Sequence, residues 1–246
     1  LSVINLDSPF NVYNDIQGII GTVYTSLIFQ DNLYVGTNQG LFYKPYNSNK
    51  KLQIVTNTQG QVWCLKVIDN TLFCGHNSGT FVVANDSAVK ISDFPGTWDI
   101  KKVSANQNIL IQGNYNGLSI LEKANNKWKF RNKIEGFKNS SRYIEIDATN
   151  QIWVNHEYKG VFKLKLNDSL TKVQKLDMET SLILGKNSSL IKYKNQIHYA
   201  SEEGLFIYNE SKMAFERDAI LSNIIKKEDY ISGKLVEDKN ENWWPF

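Results

Sequence analysis

Four aromatic side chains recur at comparable points along the chain, each at the start of a short apolar run. They are Tyr24 in GTVYTS, Trp63 in GQVWCL, Trp98 in GTWDIK and Tyr143 in SSRYIE. Polar links that precede or flank a repeated glycine supply a second set of groups. These are Asn38, His76, Asn114, Tyr115, His156, Glu157, Glu202 and Glu203. Aromatic faces combined with amide, imidazole and carboxylate groups suit a polar ligand with apolar faces, such as a sugar.

The same residues have a structural interpretation, in which each ring is wedged between neighbouring sheets and each polar group faces water. For a single residue this alternative is the more common outcome. For the two sets taken together, we favour a binding rim.

Catalytic and metal motifs are less well supported. The pair His156–Glu157 lacks the second histidine, at helical spacing, of a zinc-protease motif. A three-histidine metal site would need His198, which falls in the strand-like run IHYAS rather than in a polar link. Glu202 and Glu203 would do acid–base chemistry only at a defined separation across a substrate. The chain also lacks a G-x-S-x-G elbow. We therefore predict no catalytic residue, metal ligand or cofactor.

A glycine-centred sequence motif recurs five times and indicates which structural elements position these residues. The copies are NLYVGTNQGLFY, TLFCGHNSGTFV, ILIQGNYNGLSI, QIWVNHEYKGVF and QIHYASEEGLFI, with glycines at 40, 79, 117, 160 and 204. The spacings of 39, 38, 43 and 44 residues match a four-stranded propeller blade, about 40–45 residues in the best-known case. Each unit contains four short β-rich runs separated by Asn, Asp and Gly. The sequence therefore predicts an all-β protein, a β-propeller of four-stranded blades.

Five complete blades and two half blades account for the chain. The predicted complete blades are 21–58, 59–95, 96–138, 139–183 and 184–228, and the half blades are 1–20 and 229–246. The first half resembles the segment after Gly117, and the last half resembles the start of a blade. The two halves would either close a six-bladed ring or belong to a larger ring. We expect a piece of a larger ring.

Strand direction places the candidate residues together. Because strands alternate in direction, the loop before the first strand and the link between the second and third strands open at the same end of the ring. That end is therefore the predicted binding rim. The repeated glycine opens the third strand, where a positive φ or a close backbone approach favours it. Trp153 is predicted to pack between blades, whereas Trp128 and Phe130 alternate with charges as on an exposed outer strand.

Composition narrows the function classes. The 246 residues are 41% hydrophobic, and 28 basic against 25 acidic side chains give a charge of +3, without the basic patch of a nucleic-acid-binding protein. We find no apolar run of membrane-span length and no signal peptide. A two-residue turn at Asp69–Asn70 would pair Cys64 with Gly75 and direct the sulfurs of Cys64 and Cys74 to opposite sides. Two buried free thiols are favoured over a disulfide.

The stretches LYVGTNQGL and IWVNHEYKGV resemble the two-component-regulator propeller repeat, over all five blades and both half blades. The resemblance implies the periplasmic sensor part of a membrane-anchored bacterial regulator. In that family the blades are usually followed by a triple-tyrosine domain, a membrane helix and a cytoplasmic kinase or helix-turn-helix output. Four positions depart from the repeat: Asn155 and Ala200 replace a second-strand glycine, and Thr80 and Val161 replace a leucine.

Three hypotheses follow. In the first, a non-catalytic propeller binds a small polar or glycan ligand, or a partner such as the triple-tyrosine domain or a second protomer, and signals across the membrane through a segment outside this chain. In the second, the propeller is a carbohydrate-active lyase or hydrolase. In the third, it is a protein-interaction scaffold. An aromatic, amide-rich opening would favour the first.

Overall fold

The computed structural model describes residues 20–103, 106–179, 182, 184–185, 187–219, 221–224, 235–237 and 243–245. These residues form five four-stranded antiparallel sheets, in each of which the strands are hydrogen-bonded in chain order. Each sheet is therefore a meander, as a propeller blade requires.

The strands of the first three blades are as follows. The first blade contains β1 (Val23–Phe29), β2 (Asn32–Thr37), β3 (Leu41–Pro45) and β4 (Gln53–Ile54). The second contains β5 (Val62–Ile68), β6 (Thr71–His76), β7 (Gly79–Ala84) and β8 (Ser87–Ser92). The third contains β9 (Asp99–Val103), β10 (Asn106–Asn114), β11 (Gly117–Ala124) and β12 (Lys127–Ile134).

Two further blades and a short pair complete the described structure. The fourth blade contains β13 (Tyr143–Ile146), β14 (Ile152–His156), β15 (Gly160–Leu166) and β16 (Val173–Glu179). The fifth contains β17 (Ser189–Tyr193), β18 (Gln196–Ser201), β19 (Gly204–Asn209) and β20 (Ala214–Arg217), followed by α1 (Leu221–Ile224). The strands β21 (Leu235–Glu237) and β22 (Trp243–Pro245) pair antiparallel with each other.

The blades are arranged around a common axis. The first strands β1, β5, β9, β13 and β17 contact one another in that order, so they lie innermost. A separate cluster of buried apolar side chains fills each interface between successive blades. A single twisted sheet cannot bury both of its faces alone, so each blade packs face to face against the neighbouring blades. The predicted β-propeller is therefore confirmed.

The repeated glycine has the geometry that the sequence predicts. At all five positions, φ lies between +91° and +157°, a region that side chains with a Cβ rarely occupy. The backbone also approaches closely: a Cβ on Gly117 would lie 2.3 Å from the carbonyl oxygen of Phe137. The glycine is therefore required by conformation and by packing.

The cysteine prediction is confirmed by the register of the second blade. Cys64 pairs with Gly75 across β5 and β6. Cys64 and Cys74 are both buried, and neither forms a disulfide. Cys74 is the residue next to Gly75 in β6. Because neighbouring residues of a strand point to opposite faces, the sulfur of Cys74 lies on the opposite side of the sheet from that of Cys64.

Of the three structural aromatics, Trp153 is confirmed as a packing residue, since it is 2% exposed and belongs to the cluster between the fourth and fifth blades. The predicted position of Trp128 and Phe130 on an outer strand is also confirmed, but their predicted exposure was wrong. Trp128, on the outer strand β12, is only 6% exposed, and Phe130 packs beside it. An outer strand still turns one face toward the neighbouring blade, and that face here carries the aromatic side chains while the lysines face water.

The predicted half blades are described only in part. The first, 1–20, lies outside the described residues except for Ile20, and of the last, 229–246, only β21 and β22 are described. Among the described residues, no helix has the length and apolar character needed to cross a membrane.

Candidate functional site

Bulges and strand starts place the predicted aromatics at one end of the ring. Tyr24 in β1 and Trp63 in β5 are each the extra residue of a β-bulge at the start of the first strand. A bulge re-aims a side chain that the regular pleat would direct elsewhere. Trp98 directly precedes β9, and its backbone N–H donates to the carbonyl of Gly113 at 2.8 Å. The three rings therefore come from equivalent points of three successive blades.

These rings form a continuous stack of mutually tilted rings, in which Tyr24 and Tyr115 are exposed and Trp63 and Trp98 are half-buried. The ring centroids of Tyr24 and Trp63 are 4.9 Å apart, and those of Trp63 and Trp98 are 4.6 Å apart. Tyr115 joins from the link after β10, with its centroid 5.1 Å from that of Trp98. The indole Nε1 of Trp63 donates to the hydroxyl of Tyr115 at 2.7 Å. We call Tyr24, Trp63, Trp98 and Tyr115 the aromatic face.

A glycine outside the repeated set supports this face. Gly96 has a φ of +73°, and a Cβ there would lie 2.0 Å from Cγ of Tyr115. The ring of Tyr115 therefore lies directly against the backbone just before Trp98. Sequence reasoning missed this role, although Gly96 stands only two residues before Trp98.

Arg142 takes in the fourth blade the position that Trp98 takes in the third. In both blades, the backbone N–H of the preceding residue donates to the carbonyl that ends the second strand of the previous blade, at 3.1 Å in the third blade and 3.0 Å in the fourth. Tyr143, predicted to lie near the start of the first strand, is the next residue and begins β13 as predicted. The equivalent of Trp98 is nevertheless Arg142, because the fourth blade carries one more residue between the equivalent serine and its aromatic side chain.

Arg142 extends the aromatic face with a cationic group. Its guanidinium carbon is 5.5 Å from the ring centroid of Trp98 and 5.2 Å from that of Tyr143. The same guanidinium forms an ion pair with Glu157, on the link after β14. Arg142 was missed in the sequence, where it stands in SSRYIE directly before the predicted tyrosine. Stacking on an aromatic ring is a common arrangement for arginine.

A pocket of about 230 Å³ lies beside Arg142, between the third and fourth blades. It is lined by Trp98, Ser140, Arg142, Asn155, His156, Glu157 and Tyr158. Tyr158 is 61% exposed. The structure therefore brings His156 and Glu157 together with Trp98, as the predicted rim requires.

The histidines have a local role that sequence reasoning did not foresee. The Nδ1 of His76 accepts the backbone N–H of Ser78 at 3.0 Å, and the Nδ1 of His156 accepts that of Tyr158 at 3.2 Å. In the first blade, the hydroxyl of Thr37 accepts a backbone N–H two residues later in the same way. Residues at this position thus hold the tight link before the repeated glycine.

Two predicted rim residues are buried rather than displayed. His76 is 2% exposed and packs edge-on against Phe81, with ring centroids 5.2 Å apart. Asn114 is fully buried: its Nδ2 donates to Thr97 at 3.2 Å and its Oδ1 accepts the hydroxyl of Ser119 at 2.7 Å. Both residues organise the blade and are left out of the proposed site.

The remaining predicted residues lie at the ends of the rim. Asn38 is exposed, and its Oδ1 accepts the backbone N–H of Thr22 at 2.8 Å, which fixes the loop that carries Tyr24. Glu202 is exposed on the link between β18 and β19. No contact described for the fifth blade joins Glu202 to the aromatic face.

Ion pairs between the innermost strands hold the blades that carry the face. Asp99, directly after Trp98, contacts Lys66 of the second blade at 2.9 Å and Lys101 at 3.6 Å, and Lys101 contacts Glu145 of the fourth blade at 2.7 Å. Burial alone would raise the pKa of Asp99, but the ammonium groups of Lys101 and Lys66 hold it below its ordinary value. Alternating charges therefore connect three blades next to the site.

Lowering the pH from 7.5 to 5 is expected to destabilise the protein. Burial lowers the pKa of His76, His156 and His198. Below about pH 6.5, histidines of the unfolded chain bind protons more readily than the same histidines in the folded protein. The free energy of unfolding therefore falls as the pH is lowered, by up to about 1.4 kcal/mol per pH unit for each histidine. Thermal melting across this range measures the loss. His76→Asn keeps an acceptor for the Ser78 amide and should flatten the profile; an unchanged profile would contradict the role of His76.

Fold and site together define a β-propeller with an exposed aromatic face at one end of the ring. No protein-family model and no curated protein matches the chain. Solved structures do. The extracellular domain of BT4673, described as a hybrid two-component system of B. thetaiotaomicron, is 22% identical over 91% of this chain and 30% of that chain, with a TM-score of 0.58.

Two other structures support the same architecture. The extracellular domain of BT3049, described likewise and from the same organism, is 16% identical over 94% of this chain and 32% of that chain, with a TM-score of 0.67. The WD40 propeller domain of Doa1 is 14% identical over 76% of this chain and 64% of that chain, with a TM-score of 0.56. At these identities the likeness shows the propeller fold, and the first two names agree with the family that the repeat resembles. The chain spans about a third of the length of the two B. thetaiotaomicron domains.

Proposed function

We propose that this propeller is a non-catalytic, extracytoplasmic sensor domain that binds a small polar or glycan ligand on its aromatic face. The observation that carries the proposal is the stack of Tyr24, Trp63 and Trp98, continued by Tyr115 and flanked by a stacked arginine. Four rings from three blades form one surface. No packing requirement of a single blade explains this arrangement.

The face has the properties of a preorganised binding surface. Tyr24 and Tyr115 are 38% and 37% exposed, so their rings offer apolar area to a ligand. The hydrogen bond between Trp63 and Tyr115 and the backing of Gly96 hold the rings in place before any ligand arrives. Binding of a ligand there costs little free energy for ordering side chains. Sugar rings, with apolar faces and a polar edge, suit stacked aromatics flanked by an ion pair.

The sensory part of the proposal draws on the neighbours. Two of the similar structures are described as extracellular domains of hybrid two-component systems, in which a propeller forms part of a longer chain. By analogy, ligand binding here would be read out by a following domain and a membrane segment.

Signalling requires that the ligand prefer one of two arrangements of the protein. We expect the ligand to contact both the aromatic face and a neighbouring body. The candidates for that body are an adjacent triple-tyrosine domain and a second protomer. A ligand held only within one rigid ring would have no second arrangement to favour.

Trp63→Ala is expected to weaken saccharide binding by roughly 30-fold or more, the ~2 kcal/mol typical of an aromatic hot spot. Trp63 is the central ring of the stack, so its loss also releases its neighbours on both sides. The measurement is isothermal titration with neutral tetrasaccharides of glucose, galactose, mannose and xylose, preceded by a glycan-array screen.

A matched pair of tyrosines provides the control. Tyr24 and Tyr46 are similarly exposed, at 38% and 43%, but only Tyr24 belongs to the aromatic face. Tyr24→Ala should weaken binding, and Tyr46→Ala should leave it unchanged. Equal binding by folded Trp63→Ala and wild-type protein would overturn the proposed site. Chromatographic detection of cleaved saccharide would overturn the non-catalytic assignment.

A further inference from the structure

Asn155 departs from the repeat at a position that faces the next blade. In β2, β6 and β10 the residue that pairs with the start of the first strand is a glycine, and in β18 it is Ala200. Space there is scarce: a Cβ on Gly113 would lie 2.0 Å from the carbonyl oxygen of Ser141. In the fourth blade, the same position carries the fully buried amide of Asn155. A side chain has thus been introduced where the other blades have almost none.

The orientation of this amide follows from its partner. The hydroxyl of Ser188 donates its only proton to the carbonyl of Gly185 at 2.8 Å. Its oxygen must therefore accept the hydrogen bond from Asn155, so the atom of Asn155 that lies 3.1 Å away is the Nδ2 donor. The carbonyl Oδ1 of Asn155 is consequently the other end of the amide. It is buried and has no hydrogen-bond partner among the described residues.

A second buried group without a partner lines the same pocket. The Nε1 of Trp98 is buried and has no acceptor within the described chain. Trp63 donates to Tyr115 and Trp153 donates to Asp147, whereas the Nε1 of Trp128 is also buried without a described partner but does not line this pocket. Trp98 and Asn155 both line the pocket of about 230 Å³. Two residues that line the pocket therefore each carry a buried polar atom without a described partner, one a donor and one an acceptor, and each atom is costly to leave unpaired.

We propose that this pocket is a specificity subsite for a vicinal diol of an uncharged sugar, with Trp98 Nε1 donating to one hydroxyl and Asn155 Oδ1 accepting from it or from its neighbour. The inference rests on the proposed function of the aromatic face and adds the class of ligand. The pocket is smaller than the ~300–1,000 Å³ of sites for drug-sized ligands. It accommodates one sugar ring or its edge while the rest of a saccharide lies on the face.

Hydroxyl groups fit this pair of atoms better than a carboxylate does. A hydroxyl both donates and accepts, so a diol satisfies the indole N–H and the amide oxygen together. A carboxylate only accepts, and would satisfy Trp98 while bringing a second acceptor against Asn155 Oδ1. The cation at the pocket, Arg142, is already paired with Glu157. The subsite therefore selects neutral sugars over uronic acids.

The test uses isothermal titration with the four neutral tetrasaccharides named above and tetragalacturonate as the acidic probe. Asn155→Ala should weaken the tightest neutral tetrasaccharide about tenfold or more, since a buried hydrogen bond is lost. Ala200 holds the equivalent position in the fifth blade, so alanine is compatible with the strand pairing. Analogues lacking one hydroxyl should show a similar loss against wild-type protein at one position. Against Asn155→Ala, that same deletion should cost nothing further.

A second variant keeps the test independent of Asn155. Trp98→Phe removes the indole N–H but keeps a ring in the stack, and should also weaken binding about tenfold. Trp63→Phe is the matched control and should cost less, because the N–H of Trp63 points to Tyr115 rather than to the pocket.

The outcomes separate the two proposals. Loss of binding in Trp63→Ala with unchanged binding in Asn155→Ala and Trp98→Phe would overturn the subsite and keep the aromatic face. Unchanged affinity is also the result expected if water fills the pocket in the complex. Tighter binding of tetragalacturonate than of every neutral probe would overturn the subsite as well. No binding of any saccharide would overturn both proposals.

Discussion

Gly79→Ala is expected to destabilise the protein by about 3 kcal/mol or more, from backbone strain and steric overlap together. Gly79 opens β7 directly after the tight link from His76, with a φ of +138°. A Cβ there would lie 1.9 Å from the carbonyl oxygen of Ser92, in the neighbouring strand of the same blade. The obstacle is backbone held by a β-ladder, so it cannot move aside. Thermal melting should show a fall of roughly 6–12 °C for this chain length.

Gly185→Ala is the matched control. Gly185 also has a positive φ, +154°, but no atom lies within 4 Å of the position its Cβ would take. This variant should lose only the backbone part of that cost, about 1–2 kcal/mol, because no steric overlap opposes the added methyl group. A Gly79→Ala protein that melts within about 2 °C of Gly185→Ala would contradict the close approach at the repeated glycine.

Trp153→Ala is expected to cost about 3–5 kcal/mol of folding free energy, the range for deleting a buried aromatic side chain. Trp153 is 2% exposed, and its ring lies 4.5 Å from that of Tyr208 in the fifth blade. Its Nε1 donates to Asp147 at 2.8 Å, so truncation also leaves a carboxylate oxygen without that donor. The ammonium of Lys163 lies 4.9 Å from the Trp153 ring and 4.7 Å from the Tyr208 ring, and loses one of these contacts.

The same substitution at Trp63 provides the comparison. Trp63→Ala should lose saccharide binding with a much smaller loss of stability, because its ring is only partly buried. Trp153→Ala should lose stability and, below its melting temperature, keep the aromatic face intact. Urea denaturation measures the stability of both variants and isothermal titration measures their saccharide binding, so the two measurements together test this contrast. Comparable stability losses at the two sites would contradict the burial difference.

Local rules made the architecture predictable. Short β-rich runs, a glycine at a regular period and two-residue turns each act within a few residues of the chain, and the structure bears out the blades and their register. The pairing of Cys64 with Gly75 is an example. Turn length sets hairpin register, and register sets which side of the sheet each sulfur occupies.

The candidate site was predictable only in part. Tyr24, Trp63, Trp98 and Tyr115 were predicted, and the structure brings them together. Other assignments failed. His76 and Asn114, predicted to face a ligand, are buried, and the side-chain contacts described for them lie within their own blades. In the fourth blade the position equivalent to Trp98 is occupied by Arg142, and the predicted Tyr143 is the next residue.

The amino-acid sequence by itself determined the blade repeat, the strands and the glycine geometry, because strand alternation, turn preference and φ are properties of neighbouring residues. Only the tertiary structure decided which side chains meet at the rim. Contacts such as those of Trp63 with Tyr115 and of Asn155 with Ser188 join separate blades. Their distances depend on bulges and on how closely whole sheets pack, which no local pattern encodes.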